Sequence, residues 1–426
     1  MSAFDKVIGY KTIKNELLQI CDMIRNKGVY EALGAKLPQG ILLHGDPGLG
    51  KTLMAKCFVK ESGLPAFTVR RNKGNDDFIG SITETFQKAK ENAPSIVFLD
   101  DLDKFANEDD EHRDAGEYVA VQAGIDEVKH CDVFVLATAN NIWKLPDSLR
   151  RSGRFDRKIE VQCPTERDAK DIISYYLSDK NVSENVNMDD LCKMIGYSSC
   201  AVLETILNEA AIHAAYRRKA CIEMEDLVKA VLRMQYDAPD DYTKSSDEEM
   251  RRTAIHEAGH LVVCEVLCPG SVGLASLRGS GRDAKDGFIR TCVSLPRRPY
   301  DVLVSLAGKA AVELYYADAV ASGCQNDINR ALNLIREGTA ASATLGFGMV
   351  DVSTRRFSHT SESLNSRNEA VTQAELERFM LKAKDILLKN RSFLEKTTAA
   401  LLEKGTLLAS DIQALRENTT IAGVAV

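Results

Sequence analysis

One short motif near the N-terminus restricts the possible folds more than any other feature of the chain. Gly45-Asp46-Pro47-Gly48-Leu49-Gly50-Lys51-Thr52 matches the pattern G-x-x-x-x-G-K-[ST], between the apolar run Gly40–Gly45 and a helical pattern from Lys51. In that context the backbone N–H groups of the turn and the helix N-terminus form a cradle for phosphate oxygens. The motif therefore predicts an α/β nucleotide-binding fold, with Lys51 at the β- and γ-phosphates and Thr52 as a ligand of Mg²⁺.

Further apolar runs follow at intervals that suit a parallel sheet. Three of them are strand candidates: Ala66–Arg70, Ser95–Leu99 and Val133–Ala137. Sequence of helix length separates each run from the next, as expected when helices cover both faces of a parallel sheet. Residues 165–235 read as helices only, and residues 250–415 read as mainly helical around a weaker β-like stretch near 271–294.

Polar side chains follow two of these strands. Asp100 comes directly after Ser95–Leu99, where a carboxylate associated with Mg²⁺ belongs, and Asp101 is placed to activate the attacking water. Asn140, after the Val133 run, is suited to orienting that water. Arg151 and Arg154 lie in a basic loop, from which they could stabilise transition-state charge in the nucleotide site of a neighbouring subunit.

The second half of the chain contains the pattern H-E-x-x-H. His256 and His260 share one face of a predicted helix, so both imidazoles can bind one Zn²⁺ while Glu257 acts as the general base on water. The apolar neighbours of this pattern predict that the helix is buried, where two histidines without a metal would be costly to satisfy. Three protein ligands are expected, and the pattern leaves Glu313 and Asp327 as alternatives for the third.

Composition excludes several other classes of protein. Lys and Arg number 55 against 62 Asp and Glu, and the net charge of −7 argues against a general nucleic-acid or anionic-membrane binder. The eleven cysteines are scattered and odd in number, which fits reduced thiols better than a disulfide scaffold. No run of 18 apolar residues and no signal-peptide stretch occur, so we expect a cytoplasmic chain without a membrane segment.

The order of phosphate loop, acidic strand end, asparagine and paired arginines resembles the AAA+ ATPase family over residues 3 to about 235. The resemblance implies that Ile8 and Gly9 lie against the adenine. It also implies that Phe78, Ile79 and Gly80 form a central pore loop that grips an extended polypeptide.

Two positions depart from the AAA+ pattern. Asp101 stands where the family usually has Glu, one methylene longer, and Cys200-Ala201 replaces the usual Gly-Ala of the helical lid. We expect both departures to affect the rate of ATP hydrolysis rather than nucleotide binding.

Residues 250–415 resemble the peptidase domain of FtsH-type AAA+ zinc metalloproteases. In those proteins the segment before the third-ligand aspartate is similar to Ser322–Ile328, so the resemblance implies Asp327 as the ligand and Glu313 as a structural acid. Gly287–Arg290 falls where the family offers a strand edge to the peptide substrate. Typical members carry a membrane anchor before the ATPase. This chain is therefore expected to be either a soluble relative or the part of a membrane-associated protein that follows the anchor.

The predicted organisation has five parts: an ATPase large subdomain at 1–163, a helical lid at 164–236, a linker at 237–249, a zinc metallopeptidase domain at 250–415 and a tail at 416–426. Arginines acting in trans imply a homohexamer that uses ATP, Mg²⁺ and one Zn²⁺ per subunit to unfold, translocate and cut unfolded or tagged polypeptides. Two alternatives remain: a remodelling ATPase with an inactive protease half, and a zinc peptidase with a merely regulatory nucleotide domain.

Overall fold

The computed structural model describes eight stretches of the chain: residues 2–71, 77–107, 115–151, 153–238, 246–279, 287–316, 324–340 and 362–423. The chain divides into two compact units, one formed by residues 1–180 with 196–208 and the other by 181–195 with 209–426. Within the described stretches, no helix has both the length and the apolar character that crossing a bilayer requires.

The first unit is built on a parallel five-stranded sheet in the order β2-β3-β4-β1-β5. The strands are β1 (Gly40–His44), β2 (Ala66–Val69), β3 (Ser95–Leu99), β4 (Val133–Ala139) and β5 (Arg157–Glu160). The helices are α1 (Lys11–Arg25), α2 (Lys27–Ala32), α3 (Lys51–Ser62), α4 (Phe78–Glu91), α5 (Ala115–Glu127), α6 (Asp147–Arg150) and α7 (Glu166–Leu177). The two central neighbours β1 and β4 are almost wholly buried, because a parallel sheet is covered on both faces. The predicted α/β fold class is confirmed.

The strand β5 was not among the predicted strands. Only Ile159 of its four residues is buried, and its other side chains are charged and exposed at the edge of the sheet. Such a strand lacks the apolar run on which the prediction of β1 to β4 depended.

The predicted pore triplet begins a helix, and its aromatic residue is in the core. Asp77 caps α4 by accepting a hydrogen bond from the backbone N–H of Gly80. The ring of Phe78 is only 7% exposed and meets the ring of Phe105 edge to face, with centroids 5.2 Å apart. The ring of Phe78 thus takes part in the hydrophobic core of the sheet in this structure, whereas the prediction for a pore loop expects it to be exposed; its role in a pore stays a prediction. Ile79 is 44% exposed.

The second unit is mainly helical, with a small antiparallel sheet in the order β7-β6-β8. Its strands are β6 (Val272–Ser276), β7 (Phe288–Thr291) and β8 (Thr406–Leu408). Its helices include α8 (Met188–Ile195), α10 (Met224–Tyr236), α11 (Asp247–Leu267), α12 (Arg298–Tyr315), α13 (Cys324–Ala340), α14 (Glu362–Lys389), α15 (Arg391–Lys404) and α16 (Ala409–Glu417). The helix α9 (Cys200–Tyr216) has residues in both units. The predicted mainly helical character of this half is confirmed.

The segment predicted as a helical lid contains four helices, of which α7 belongs to the first unit and α8 and α10 to the second. The predicted linker at 237–249 lies partly outside the described residues, at 239–245. Its end already belongs to α11, which starts at a capping box: the Ser246 hydroxyl accepts from the N–H of Glu249, and the Glu249 carboxylate accepts from the N–H of Ser246. The boundaries between the five predicted parts stay predictions.

Candidate functional sites

The phosphate-loop motif forms a turn from β1 into α3 that depends on glycine. Gly45, Gly48 and Gly50 have φ of 142°, 78° and 87°, a backbone region that other residues rarely adopt. A side chain at position 45 would also lie 2.1 Å from the carbonyl oxygen of Val161. Lys51 begins α3 and donates from Nζ to the carbonyl oxygens of Gly45 and Asp46 at 2.7 Å, and burial lowers its pKa. The backbone carbonyl groups of the loop therefore surround the ammonium group of Lys51.

The predicted magnesium ligands Thr52 and Asp100 lie within hydrogen-bond distance of each other. The carboxylate of Asp100, 3% exposed at the end of β3, accepts hydrogen bonds through Oδ1 from the hydroxyls of Thr52 at 3.0 Å and Thr138 at 2.8 Å. Carboxylate and hydroxyl oxygens are ligands that Mg²⁺ prefers. Asp101 has a left-handed backbone, with φ of 57°, and its carboxylate forms an ion pair with Lys104 at 2.6 Å.

A further acid, not singled out from the sequence, holds the predicted sensor residue. The side chain of Asp103 is buried and accepts hydrogen bonds from the backbone N–H groups of Asn140 at 3.0 Å and Asn141 at 3.2 Å. It thereby ties the segment after β3 to the end of β4. Three acids stand within four residues, at 100, 101 and 103, but only the first two match a known role, so no sequence pattern selects Asp103.

The expected adenine contacts, Ile8 and Gly9, belong to a turn that is fixed to α7. Gly9 has φ of 69°, and a side chain there would lie 2.8 Å from the Asp168 carboxylate, which accepts from the N–H of Tyr10. Nearby, at the start of α9, the N–H of Ala201 donates to the carbonyl of Gly48 at 3.1 Å, so the unusual Cys200-Ala201 pair adjoins the phosphate loop.

The two predicted arginine fingers differ in their surroundings. Arg154 forms an ion pair with Asp126 of its own chain at 2.6 Å and donates to the carbonyl of Ser148. Arg151 is exposed. Of the two, Arg151 is the residue that the structure presents to solvent.

In the second unit, three potential metal ligands converge. The Nε2 atoms of His256 and His260, both on α11, lie 3.0 Å apart, and each lies 3.1 Å from Oδ2 of Asp327 on α13. A tetrahedral Zn²⁺ with bonds of about 2.0–2.2 Å spaces its ligand atoms roughly 3.3 Å apart. The triangle of two imidazole nitrogens and one carboxylate oxygen therefore fits zinc in both spacing and chemistry, and a tetrahedral ion held by three protein ligands has a fourth position for water.

A hydrogen bond to the backbone selects the tautomer of His260 whose Nε2 can bind a metal. Its Nδ1 lies 2.6 Å from the carbonyl oxygen of Val304, which can only accept, so Nδ1 carries the proton and Nε2 of the neutral ring offers a lone pair. Burial lowers the pKa of His260, but Asp327 and Glu257 outweigh burial and raise it overall. The two histidines in turn hold the pKa of Asp327 well below its usual range, although burial acts in the opposite direction.

The two acids that the sequence left open as third ligand have separate places. Asp327 joins the two histidines as the only such cluster found among the described residues. The carboxylate of Glu313 is occupied by ion pairs with Lys309 at 2.8 Å and Lys384 at 2.6 Å. Glu257, 4% exposed, lies on α11 between the two histidines.

Two glycines whose contacts the sequence does not predict lie against the side chains of this site. A side chain at Gly308 on α12 would lie 2.4 Å from Nε2 of His260 and from Cε1 of His256. A side chain at Gly287, before β7, would lie 2.5 Å from Cγ of Glu257. Only glycine lets the backbones of α12 and β7 approach the three side chains this closely; the sequence shows the glycines but not what they face.

The parallel sheet with its phosphate loop defines the class of the first unit. Residues 41–163 match the family model described as "ATPase family associated with various cellular activities (AAA)". The chain thus contains an AAA ATPase domain.

Relatives of the whole chain define its family. It is 30% identical to "ATP-dependent zinc metalloprotease FtsH 1" of Thermomicrobium roseum over 97% of this chain and 68% of the relative. It is 28% identical to "ATP-dependent zinc metalloprotease FtsH" of Ureaplasma parvum over 97% of this chain and 60% of the relative. For "FtsH 3" of Symbiobacterium thermophilum the identity is 29%, over 97% and 71%. The chain belongs to the FtsH family, and it spans about 60 to 71% of the length of these three relatives.

Proposed function

We propose that the protein is an ATP-dependent zinc metalloendopeptidase that degrades polypeptides. The observation that carries the proposal is the convergence of His256, His260 and Asp327 within 3.1 Å of one another, with Glu257 on the same helix. Membership of a family whose relatives are named ATP-dependent zinc metalloproteases supports it.

The three ligand side chains would hold one Zn²⁺ per subunit. Zinc in such a site lowers the pKa of water to about 7 and polarises a carbonyl group. The Glu257 carboxylate would take the proton from the attacking water and deliver it to the amine nitrogen of the broken peptide bond. Its burial beside Gly287 restricts the carboxylate to a narrow range of positions, which favours the transfer.

The phosphate loop would bind ATP with Mg²⁺. Thr52 and Asp100 would hold the cation, and Lys51 would exchange its bonds to the loop carbonyls for bonds to phosphate oxygens. Asn140 would orient the attacking water and Asp101 would activate it, after its ion pair with Lys104 opens. The shorter carboxylate and its ion pair both favour slow hydrolysis.

A hexamer would let Arg151 of each subunit reach the nucleotide of its neighbour. Arg154 would first have to leave Asp126, so we assign the direct contact with phosphate to Arg151 and a supporting role to Arg154. We further propose that ATP hydrolysis threads unfolded or tagged polypeptides through the centre of this ring. Of the triplet predicted to grip them, Ile79 has the exposed side chain.

Casein degradation tests the proposed activity. The protein is incubated with casein and ATP, with casein alone, and with casein, ATP and a zinc chelator, followed by re-addition of Zn²⁺. We expect degradation only with ATP, loss with the chelator and recovery with zinc. ATP hydrolysis without any cleavage would instead identify a remodelling ATPase, and cleavage independent of nucleotide would identify a peptidase with a regulatory nucleotide domain.

We also propose that the protein is located in the cytoplasm. Cell fractionation tests this location, and recovery of the protein in the membrane fraction would contradict it.

A further inference from the structure

The small sheet of the second unit contacts helices from two predicted parts of the chain. The zinc-site helix α11 packs against β6 and β7, and α8, from the predicted lid, also packs against β6. The contact with α8 is close, because a side chain at Gly273 of β6 would lie 2.3 Å from the carbonyl oxygen of Lys193. Asp190 of α8 also accepts hydrogen bonds from the N–H and hydroxyl of Ser410, at 2.8 and 2.6 Å, at the start of α16. The lid segment therefore supports the sheet.

The edge strand β7 receives similar support from α10. Ile289 packs against the hydrophobic core of the unit, and neighbouring residues of a strand point to the opposite face. On that opposite face the ring of Phe288 stacks on the ring of Tyr236, with centroids 3.8 Å apart and planes inclined by 18°. Two residues on, Arg290 donates a hydrogen bond to the side-chain oxygen of Gln235. Consecutive residues of α10 thus hold both outward side chains of the strand.

The position of β7 determines what lies beside Glu257. Gly287 precedes the strand, and its backbone adjoins the Glu257 side chain. In the described sheet β7 pairs with β6 on one side only, so its other edge has backbone groups that can pair with an extended peptide. A shift of β7 would move such a peptide relative to Glu257.

We propose that Tyr236 is a positioning residue for peptide cleavage, which acts by stacking on Phe288 and thereby fixing β7 against Glu257. Gln235 assists through Arg290. The inference rests on the proposed function. It adds that Tyr236 sets the geometry of the peptidase site, although this residue ends the predicted ATPase lid and lies outside the predicted peptidase range 250–415. The ring carries the contact, so the hydroxyl of Tyr236 is dispensable.

The test compares Tyr236→Ala and Tyr236→Phe in the full chain, with Tyr216→Ala as the matched control. Tyr216 ends α9 in the same segment but is 84% exposed. The first measurement is hydrogen–deuterium exchange of the backbone amides at 288–291. We expect exchange to be about tenfold faster in Tyr236→Ala than in the parent, and unchanged in the other two variants. Unchanged exchange in Tyr236→Ala would overturn the proposal.

The second measurement is steady-state cleavage of an unstructured fluorogenic peptide. We expect Tyr236→Ala to lower kcat about tenfold and to change KM less than about twofold, because the edge of β7 remains available while the alignment with Glu257 is lost. Zinc content and ATPase rate should match the parent, and Tyr236→Phe should cleave normally. Normal kcat in Tyr236→Ala, or an equal loss in Tyr236→Phe, would overturn the proposal. Absence of cleavage by the parent would instead contradict the proposed function, and the exchange measurement would still report whether the stack holds the strand.

Discussion

At the residue scale, the candidate zinc site depends on which carboxylate completes it. Asp327→Asn keeps the size of the side chain but removes its charge, so we expect zinc affinity and casein cleavage to fall by more than about 100-fold, with ATPase activity retained. Glu313→Gln should leave zinc content unchanged, because that carboxylate is paired with Lys309 and Lys384. Zinc content and casein cleavage are measured on both variants. Loss of zinc from Glu313→Gln alone would show that the ligand assignment is wrong.

The glycine facing the histidines gives a second prediction at this scale. Gly308→Ala would place a methyl group 2.4 Å from Nε2 of His260, the nitrogen that we propose binds zinc, in a ring held by Val304. The rings have to turn away, so we expect zinc affinity to fall at least tenfold, as when a neighbour of a metal ligand is lost. Competition with a chromogenic chelator measures the affinity. Gly28→Ala is the control, since a side chain there meets nothing within 4 Å; equal zinc affinity in Gly308→Ala and the parent would refute the prediction.

The sequence identifies the candidate catalytic and metal-binding residues, but it does not identify the residues that pack around them and fix their positions. His256, Glu257 and His260 stand out because one helical turn separates the two imidazoles. Pattern alone could not choose between Asp327 and Glu313, because the third ligand comes from another helix and depends on tertiary packing. Gly308 and Asp103 carry no motif, so the structure was needed to find them.

At the scale of elements, Asp103 joins the segments that follow β3 and β4. Asp103→Ala removes the acceptor for the N–H groups of Asn140 and Asn141, so the asparagine side chain should lose its fixed position while the phosphate loop is untouched. We expect kcat for ATP to fall about tenfold and the dissociation constant for ADP to change less than about threefold. ATPase kinetics and ADP titration measure the two quantities. A parallel loss of ADP binding would show that Asp103 supports the fold of the site as a whole.

Elements were predictable where burial is continuous. The strands β1, β3 and β4 are runs of five to seven residues that are buried except for His44, so hydrophobicity alone identifies them. The strand β5 is held by its pairing with β1 at the edge of the sheet, and its exposed charged side chains conceal it. For Phe78 the sequence pattern was ambiguous, because an aromatic–aliphatic–glycine triplet suits an exposed loop and a helix start equally. In the structure the triplet begins a helix, and the ring of Phe78 packs against Phe105.

At the scale of the whole molecule, the family relation covers both halves, but the coupling between them is a proposal. The AAA family model ends at residue 163, and the candidate metal-ligand cluster lies beyond residue 250. We expect proteolysis of a folded substrate to require both, because a folded chain has to be opened before it can pair with an edge strand.

The degradation of a folded, tagged fluorescent protein, followed as loss of its fluorescence, tests the coupling most directly. The parent, Lys51→Ala and Glu257→Gln are compared with ATP and with ADP. We predict that only the parent with ATP degrades the substrate, that Lys51→Ala still cuts an unstructured peptide slowly, and that Glu257→Gln still hydrolyses ATP. Degradation of the folded substrate by Lys51→Ala, or by the parent with ADP alone, would contradict an ATP-driven protease.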